Sequence, residues 1–495
     1  MCRWFHSLSV MTFIGYHSHP PCDRFVSMVA ALAVFCLCFP CIHGDDSSLH
    51  VSGDHQRALL KPEENNGGVM TFTVDNQSDP LLHPGFMNYC RLSENAFTGS
   101  EGSPVPGYHL KKVLTLISPG QRATKIDFEN MTSPDISCDF EEYAHRSSHP
   151  KVQSLPEVAD IYRHMKSKKD GFKIFRPYPD SPFCEYEELS PLGTTQHILL
   201  GEYMGKKYSK FGFDEPYAIE GMLAAHCIQD EAAYQSIFAF LHGLLHEKDF
   251  VSTSVKKSLN NFCQMYPSHR CSCPKSDFLQ HQIAKAVRRG FHIFKESAKV
   301  ERGINEKINL PYHTEIAPRE IVSFLSSWVC DGRQHPCKDG TCFNISISNL
   351  NDVFQSTNDY LNHITSTVSF KSYAHLNVYP FFERMFKWLH GSGYERFSVM
   401  AAEEDFVVMV MTVLGLPVEQ VLPLASRLVF EIHESSQSKD LIVKIYFNGI
   451  DVSDRLSLST DLNVSLLSLE MVSEYYTRSM LSSFKDRDYY TECMS

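Results

Sequence analysis

The sequence lacks an excess of basic residues. Its 495 residues contain 46 Lys and Arg against 58 Asp and Glu, which gives a formal net charge of −12. Nucleic-acid-binding proteins usually carry a basic face, so this balance argues against that class. It also argues against tight binding of a sulfated polysaccharide through overall charge, an argument that a local basic patch would escape.

The sequence also lacks internal repeats, and its low-complexity character is confined to one polar stretch between residues 45 and 84. Hydrophobic residues make up 43% of the chain and charged residues 21%, values that are ordinary for a globular protein. A chain of this length and composition buries a sizeable core, either in one large domain or in two to three modest ones.

One long apolar run lies near the N-terminus, from Phe25 to Ile42. Its length is near the lower limit of about 17–25 residues for a membrane-spanning helix. Arg24 precedes the run, and Asp45 and Asp46 follow it, which predicts a cytoplasmic N-terminus and an exported body. We interpret the run as a signal-anchor helix, with a signal peptide cleaved after Gly44 as the alternative.

This interpretation divides the chain into segments. Residues 1–24 form a cytoplasmic leader, residues 25–42 the signal-anchor transmembrane helix (or signal peptide), and residues 43–84 a flexible polar stem. Residues 85–495 form the ordered domain. Its segment from about 246 to 365 differs from the rest in composition, because it is rich in cysteine and in helical patterns.

Glycosylation acceptor sequences and cysteines fit an exported body. The acceptors are Asn76, Asn130, Asn344 and Asn463. Of the 16 cysteines, eleven lie after residue 45, and most of these should pair in an oxidising lumen. Because eleven is an odd number, one cysteine is expected to be free or to pair between chains.

Six cysteines fall within residues 246–365. We interpret them as disulfide partners rather than metal ligands, because disulfides are the usual state of cysteines in an exported protein. The six are Cys263, Cys271, Cys273, Cys330, Cys337 and Cys342.

Strand and helix patterns alternate along the domain. The apolar run from Lys112 to Ser118 is typical of a buried parallel strand, and a second strand followed by a loop is predicted in 396–405. Between them, a helix is predicted in 188–208, with Ser190 as its N-cap and with Leu192, Thr195, Leu199 and Tyr203 on its core face. A further helix is predicted over 232–245.

Later patterns complete the fold prediction. Helices are predicted over 407–416 and 466–483. The segments RLVFEIHES and LIVKIYFNGIDV are predicted to be paired strands, and Asn448-Gly449 in the second segment is a turn signal. The fold class is therefore α/β: a mixed, mostly parallel sheet flanked by helices, with a helical cysteine-rich insertion.

Two strand ends carry unusual loops, SPGQRAT after the first strand and AAEED after the late one. Their positions, with the insertion between them, resemble the histidine acid phosphatases of the histidine phosphatase superfamily. That family's signature is Arg-His-Gly-X-Arg-X-Pro after the first strand and His-Asp late in the chain. Framework segments such as SPFCEYEELSPLGTTQH, CDGRQHPCKDGTC and KIYFNGIDVS resemble the branch of the 2-phosphoxylose phosphatases, from about Tyr89 to Cys493. In this alignment Cys227 is the odd cysteine.

The resemblance implies a phosphatase fold whose catalytic positions are degenerate. Pro119 stands where the family has its nucleophilic histidine, and proline has no side-chain heteroatom and no backbone N–H. Ser118 replaces the first arginine of the phosphate clamp, whereas Gly120 and Arg122 match the signature and are the residual phosphate-binding positions. The family's further Arg-Thr motif falls on Ala232-Ala233.

The late His-Asp pair falls on Glu403-Glu404. Glu404 can act as a general acid if its environment raises its pKa. Glu403 instead places a negative charge against phosphate, and one such contact at about 4 Å costs roughly 4 kcal/mol at an effective dielectric of 20.

Other nucleophiles are available by residue type, namely Ser118, Thr124 and the neighbouring His226 and Cys227. Ser118 has no visible base. Adjacent residues rarely form the hydrogen bond that a Cys–His pair needs, so a buried thiol beside a surface histidine is the simpler interpretation of His226 and Cys227.

The sequence therefore predicts a Golgi type II membrane glycoprotein with a lumenal body, or a secreted one. Its predicted role is that of an inactive pseudophosphatase in glycosaminoglycan biosynthesis. It would bind a glycan, a Golgi kinase or a glycosyltransferase, and it would need no metal, cofactor or nucleic acid. Two alternatives stay open: an active acid phosphatase with a rebuilt site that uses Arg122 and Glu404, and a purely structural membrane-anchored partner.

Overall fold

A computed structural model describes most of the region that follows the polar stem. The described residues are 61–63, 71–73, 84–91, 97–123, 138–166, 172, 174–180, 188–216, 219, 221–258, 273–290, 318–330, 337–338, 341–342, 347–462, 464 and 466–495.

A mixed sheet of seven strands forms the centre of the fold. The strands along the chain are β1 (Lys61–Glu63), β2 (Thr71–Thr73), β3 (Tyr108–Ile117), β4 (Leu223–Cys227), β5 (Val255–Lys257), β6 (Cys337–Lys338), β7 (Thr341–Cys342), β8 (Phe397–Ala401), β9 (Arg427–Ser435), β10 (Leu441–Phe447) and β11 (Ile450–Asp451). The order in the central sheet is β11-β10-β9-β3-β8-β4-β5, and β1 with β2 and β6 with β7 form separate two-stranded pairs.

Strand direction changes at β3. The pairs β3–β8, β8–β4 and β4–β5 are parallel, whereas β3–β9, β9–β10 and β10–β11 are antiparallel. The predicted strands and the mixed sheet are thus confirmed, but the sheet is not mostly parallel, because three of its six strand pairs are antiparallel. The predicted Asn448-Gly449 turn joins β10 to β11, and both of its residues have positive φ angles, of 49° and 87°.

Helices cover both faces of this sheet. They are α1 (Pro84–Cys90), α2 (Phe140–Arg146), α3 (Pro150–Lys166), α4 (Pro191–Lys207), α5 (Glu231–Leu244), α6 (Glu247–Ser252), α7 (Pro274–Gly290), α8 (Pro318–Val329), α9 (Ile347–Ser366), α10 (Val368–His390), α11 (Glu404–Leu414), α12 (Ser457–Leu462), α13 (Leu469–Ser483) and α14 (Tyr489–Cys493).

The alternation of side chains along β3 separates two cores. Leu114 and Leu116 join the cluster formed with α10, α11 and α13. Val113 and Ile117 point to the opposite face and join the cluster formed with α3, α4 and α5. Both faces of β3 are therefore buried, which explains why its sequence is a nearly continuous apolar run.

Helix α4 begins as predicted, because the Ser190 side chain accepts a hydrogen bond from the N–H of Gly193. Its predicted core face is shifted, however. The four residues predicted to face the core are half-buried, and the buried side carries Ile198, Leu200 and Met204 together with glycines and polar residues. The cause is close packing on α5: a Cβ on Gly201 would lie 2.1 Å from the Phe240 carbonyl oxygen.

The segment predicted as an insertion, about 246–365, begins inside the sheet. Strand β5 pairs with β4 and forms one edge of it, so the helical part lies beyond β5 and contains α7, α8 and α9. Two disulfides attach this part to the rest of the fold, Cys90–Cys330 and Cys273–Cys493. For Cys273 and Cys330, the prediction of disulfides over metal ligands is confirmed.

Several sequence predictions concern residues outside the described ranges. These are the apolar run 25–42 and the acceptors Asn76, Asn130, Asn344 and Asn463. Within the described ranges, no helix combines the length and the apolar character that crossing a membrane requires.

Candidate functional site

The first strand end and the late strand end meet at one edge of the sheet. Strands β3 and β8 are parallel neighbours in which Ile117 pairs with Ala401, so the residues that follow them leave the sheet side by side. The N–H of Ala402 donates to the Ile117 carbonyl oxygen at 3.1 Å and continues the pairing past the strands. The two degenerate motifs therefore share a site, at the carboxyl ends of parallel strands where α/β proteins bind ligands.

Ser118 is built into the sheet rather than exposed in the site. Only 2% of its surface is exposed. Its backbone N–H donates to the Ser426 carbonyl oxygen at 2.9 Å, and its Oγ accepts from the Ser426 N–H at 3.1 Å. The Oγ lies 3.4 Å from the Ser426 carbonyl oxygen as well. This hydroxyl is committed to Ser426, the residue before β9, which leaves it poorly suited to act as a nucleophile or to donate a hydrogen bond to phosphate.

Pro119 and Gly120 are also packed. Pro119 is buried, and its carbonyl oxygen accepts from the Ala425 N–H at 3.0 Å. Gly120 lies against the start of α4, where a Cβ would approach the Gly193 carbonyl oxygen to 2.6 Å. Glycine is therefore needed at position 120 by packing alone, whatever ligand the site takes.

Gln121 fixes the loop through its backbone. Its N–H donates to Gln196 Oε1 at 2.9 Å, and the Gln196 Nε2 donates to the Cys90 carbonyl oxygen at 2.6 Å. The Gln121 carbonyl oxygen accepts from the Ser190 N–H at 2.8 Å. The loop thus offers a ligand neither this N–H nor this carbonyl group. Gln196 is a positioning residue that sequence reasoning missed, since a buried glutamine has no local signature.

Arg122 and Glu404 are brought together by the two strand ends. One guanidinium nitrogen of Arg122, Nη2, lies 3.9 Å from Glu404 Oε2, and the two side chains are only 17% and 15% exposed. At 3.9 Å and an effective dielectric of 20, this attraction is on the order of 4 kcal/mol. The one family-matching arginine of the loop is therefore already next to an anion of its own chain.

The space beside this pair is small. The cavity lined by Gln121, Arg122 and Glu404 has a volume of about 20 Å³, and Tyr89 and Ser326 form part of its wall. A single water needs roughly 10–15 Å³ of such space, so the cavity suits one water molecule. A phosphate group does not fit without movement of these side chains.

The facing helix begins with three carboxylates. Glu403 is the N-cap of α11, and Glu404 and Asp405 lie in its first turn. Carboxylates are stabilised at a helix N-terminus, where backbone N–H groups carry partial positive charge. These carboxylates also neutralise the partial positive charge of the helix N-terminus, which would otherwise favour an anionic ligand there.

The Ala232-Ala233 position supplies no charge. Both residues are fully buried at the start of α5, and the N–H of Ala233 donates to the Asp230 side chain at 2.8 Å. In the family this position carries an arginine; here a capped, apolar helix start replaces it.

The alternative nucleophiles are not assembled either. Cys227 is free and fully buried, and burial raises the pKa of its thiol well above the ordinary value, with a smaller contribution from the Asp230 charge. His226 is its neighbour in β4, and successive strand residues point to opposite faces. Of the described cysteines, Cys227 is thus the predicted odd one. Thr124 lies outside the described residues.

His197 is a buried histidine close to the site. It is fully buried on α4, and burial lowers its pKa to about 3, which the Ser118 backbone opposes and the Arg91 charge reinforces. The imidazole is therefore neutral at physiological pH. In the described part of the chain, no group of three His, Cys, Asp or Glu side chains could hold a metal ion.

The candidate site therefore consists of two parallel strand ends, a fixed loop and a facing helix N-terminus. Comparisons of the whole sequence point to a particular branch. The chain is 24% identical to 2-phosphoxylose phosphatase 1 of Xenopus tropicalis over 439 residues, which covers 84% of this chain and 85% of that protein. It is 24% identical to the Mus musculus protein of the same name over 457 residues, 86% of this chain and 92% of that one. The predicted resemblance to the 2-phosphoxylose phosphatases is confirmed.

Two solved structures are also similar to this chain. The apo phytase of Hafnia alvei has a TM-score of 0.49 at 11% identity, covering 77% of this chain and 99% of that one. The multiple inositol polyphosphate phosphatase of Bifidobacterium longum, in complex with inositol hexasulfate, has a TM-score of 0.46 at 9% identity, covering 72% and 91%. No family model matches the chain.

Proposed function

We propose that this chain is a pseudophosphatase: a relative of the 2-phosphoxylose phosphatases that does not hydrolyse phosphomonoesters and acts by binding. The observation that carries the proposal is the pairing of Arg122 with Glu404 beside a cavity of about 20 Å³. Pro119 at the nucleophile position also supports the absence of hydrolysis, because proline cannot form a phosphoenzyme bond.

The proposed setting follows from the relatives and from the cysteines. Their name specifies phosphoxylose, so we propose that this chain acts in glycosaminoglycan biosynthesis, where its partner is a glycan, a kinase or a glycosyltransferase. Disulfides Cys90–Cys330 and Cys273–Cys493 support an oxidising compartment. We propose the Golgi lumen, with residues 25–42 as the anchor, and immunofluorescence with protease protection of sealed vesicles tests this placement.

The catalytic half of the proposal is tested by turnover. The full-length chain, purified from a secretory expression host, is incubated at acidic and neutral pH with an aryl phosphate and with a phosphorylated xyloside. An active 2-phosphoxylose phosphatase is assayed beside it. We expect no turnover above that of the Arg122→Ala variant. Turnover that Arg122→Ala abolishes would refute the proposal and identify a rebuilt hydrolase, in which Glu404 is the candidate acid.

A further inference from the structure

A second, larger cavity lies directly beside the small one. Its volume is about 400 Å³, within the range of about 300–1,000 Å³ typical of small-molecule sites. It is bounded by the end of α1, the first half of α9 and the loop 420–423. Tyr89 and Val421 line both cavities, so the two are separated by no more than these side chains.

Amide side chains dominate the lining of this cavity. Five of its ten lining residues are amides, namely Asn88, Asn351, Gln355, Asn358 and Gln420. Each amide carries both a donor and an acceptor in one plane. Neighbouring hydroxyl groups, which also donate and accept, are the matching ligand chemistry.

Three of these amides are available to a ligand. Among the described residues, the side chains of Asn88, Asn351 and Gln420 make no hydrogen bond. Asn358 is held in place, because its Oδ1 accepts from the Val421 N–H at 2.9 Å. Gln355 also has a protein partner, because its Nε2 donates to Asp359 Oδ1 at 2.9 Å. The cavity therefore combines two amides that are hydrogen-bonded to the protein with three that are not.

The lining charge excludes anionic ligands. None of the ten residues lining the cavity is Lys, Arg or His, and Asp352 contributes a carboxylate. A phosphate or sulfate there would meet a like charge and no cation to offset it. Tyr89 and Phe354, with ring centroids 5.2 Å apart in an edge-to-face arrangement, add an apolar surface for C–H groups.

A peptide is a poorer match for this lining. Helices and a loop form it, so it offers no open strand edge for an extended chain. An amphipathic helix would need a continuous apolar groove, whereas half of the lining residues here are amides.

From this lining we infer that the cavity binds an uncharged saccharide segment, through its amides to ring hydroxyl groups and through Tyr89 and Phe354 to the C–H face of the sugar. The inference rests on the proposed function and deepens it, since it gives the class of ligand that a non-catalytic protein of this fold would hold. The ligand would lie beside the Arg122–Glu404 pair, and its binding would not require that pair to open.

The test is saturation-transfer NMR on the full-length chain with a panel of uncharged disaccharides of xylose, galactose, glucose and N-acetylglucosamine. Sulfated and phosphorylated disaccharides form the second arm. We expect an uncharged disaccharide to bind with an affinity that NaCl does not change. Asn351→Ala and Gln420→Ala should each weaken it roughly threefold to tenfold, the loss expected for one hydrogen bond. Asn362→Ala, an exposed amide of α9 outside the cavity, is the matched control.

Two results would overturn the inference. One is the absence of any binding by the uncharged panel in the millimolar range. The other is tighter binding of a sulfated or phosphorylated disaccharide that the two alanine variants weaken. Either result leaves the proposed function standing, because that proposal fails only on turnover of a phosphomonoester.

Discussion

Removal of the Glu404 carboxylate should convert a closed phosphate position into an anion-binding one. In the native chain an anion must compete with Glu404 for Arg122, across an N–O distance of 3.9 Å. The Coulomb energy of that contact is on the order of 4 kcal/mol at an effective dielectric of 20. Glu404→Ala removes the competitor and also enlarges the cavity beside Arg122.

Only part of this energy should be gained as affinity. In the variant, solvent enters the enlarged space and hydrates the Arg122 guanidinium, and the carboxylates Glu403 and Asp405 stay nearby. If about a third of the energy is realised, the variant binds phosphate roughly tenfold more tightly than the native chain.

The assay is thermal unfolding during titration with phosphate and with tungstate. A ligand that binds the folded state stabilises it by RT ln(1 + [L]/Kd), so at equal phosphate concentration the melting temperature of the native chain should shift little and that of Glu404→Ala should shift more. Glu470→Ala removes an exposed carboxylate from the first turn of α13 and is the matched control. The double variant Arg122→Ala, Glu404→Ala should lose the gain.

The reasoning is refuted if the native chain shows the same phosphate shift as Glu404→Ala. It is equally refuted if the double variant keeps the gain, because the anion would then bind without Arg122. A phosphate shift confined to the native chain would mean that Glu404 is part of an anion site rather than its competitor.

Three further predictions concern chemistry and stability. Pro119→His alone should give no phosphatase turnover, because Ser118 stays hydrogen-bonded to the sheet; a large gain in the aryl phosphate assay would contradict this. Replacing Cys90 and Cys330 together by Ser should lower the free energy of urea unfolding by about 2–5 kcal/mol, since the bridge spans 240 residues; a change near zero would contradict it. Burial holds the pKa of His197 at about 3, below its unfolded value of about 6.5, so the folded state is favoured above pH 6.5 and loses stability as the pH falls. Acidification to pH 5 should therefore lower the free energy of unfolding by about 2 kcal/mol. His197→Gln should remove that part of the pH dependence in urea titrations.

The strand ends and the helix cap could be predicted because their signals are local. The apolar run ending at Ser118 gives a buried strand, and Ser190 before Pro191 gives a helix start whatever the surroundings. The buried face of α4 could not be predicted in the same way. It depends on the approach of Gly201 to Phe240 in α5, and periodicity alone gives no weight to glycine as a contact residue.

The sequence also predicts which residues occupy the degenerate positions, but it does not predict that the Arg122 and Glu404 side chains lie next to each other. Family resemblance places Arg122 and Glu404 in one site, whereas their separation depends on the parallel register of β3 and β8. The larger cavity had no sequence signal, because its amides come from three separate segments. Nothing along the chain marks Asn88 or Gln420 as cavity residues, because only the fold brings them to the same cavity as α9.

The loop after β3 separates what the fold requires from what phosphate chemistry requires. Gly120 matches the family signature, and a Cβ there would collide with the Gly193 carbonyl oxygen, so packing alone demands it. Pro119 and Ser118 depart from the signature, yet the fold uses mainly their backbone groups and one hydroxyl, all of which are satisfied by Ala425 and Ser426. The departures at these two positions therefore leave the packing of the loop, its strand ends and the neighbouring cavity in place. An intact scaffold of this kind is what the proposed binding function requires.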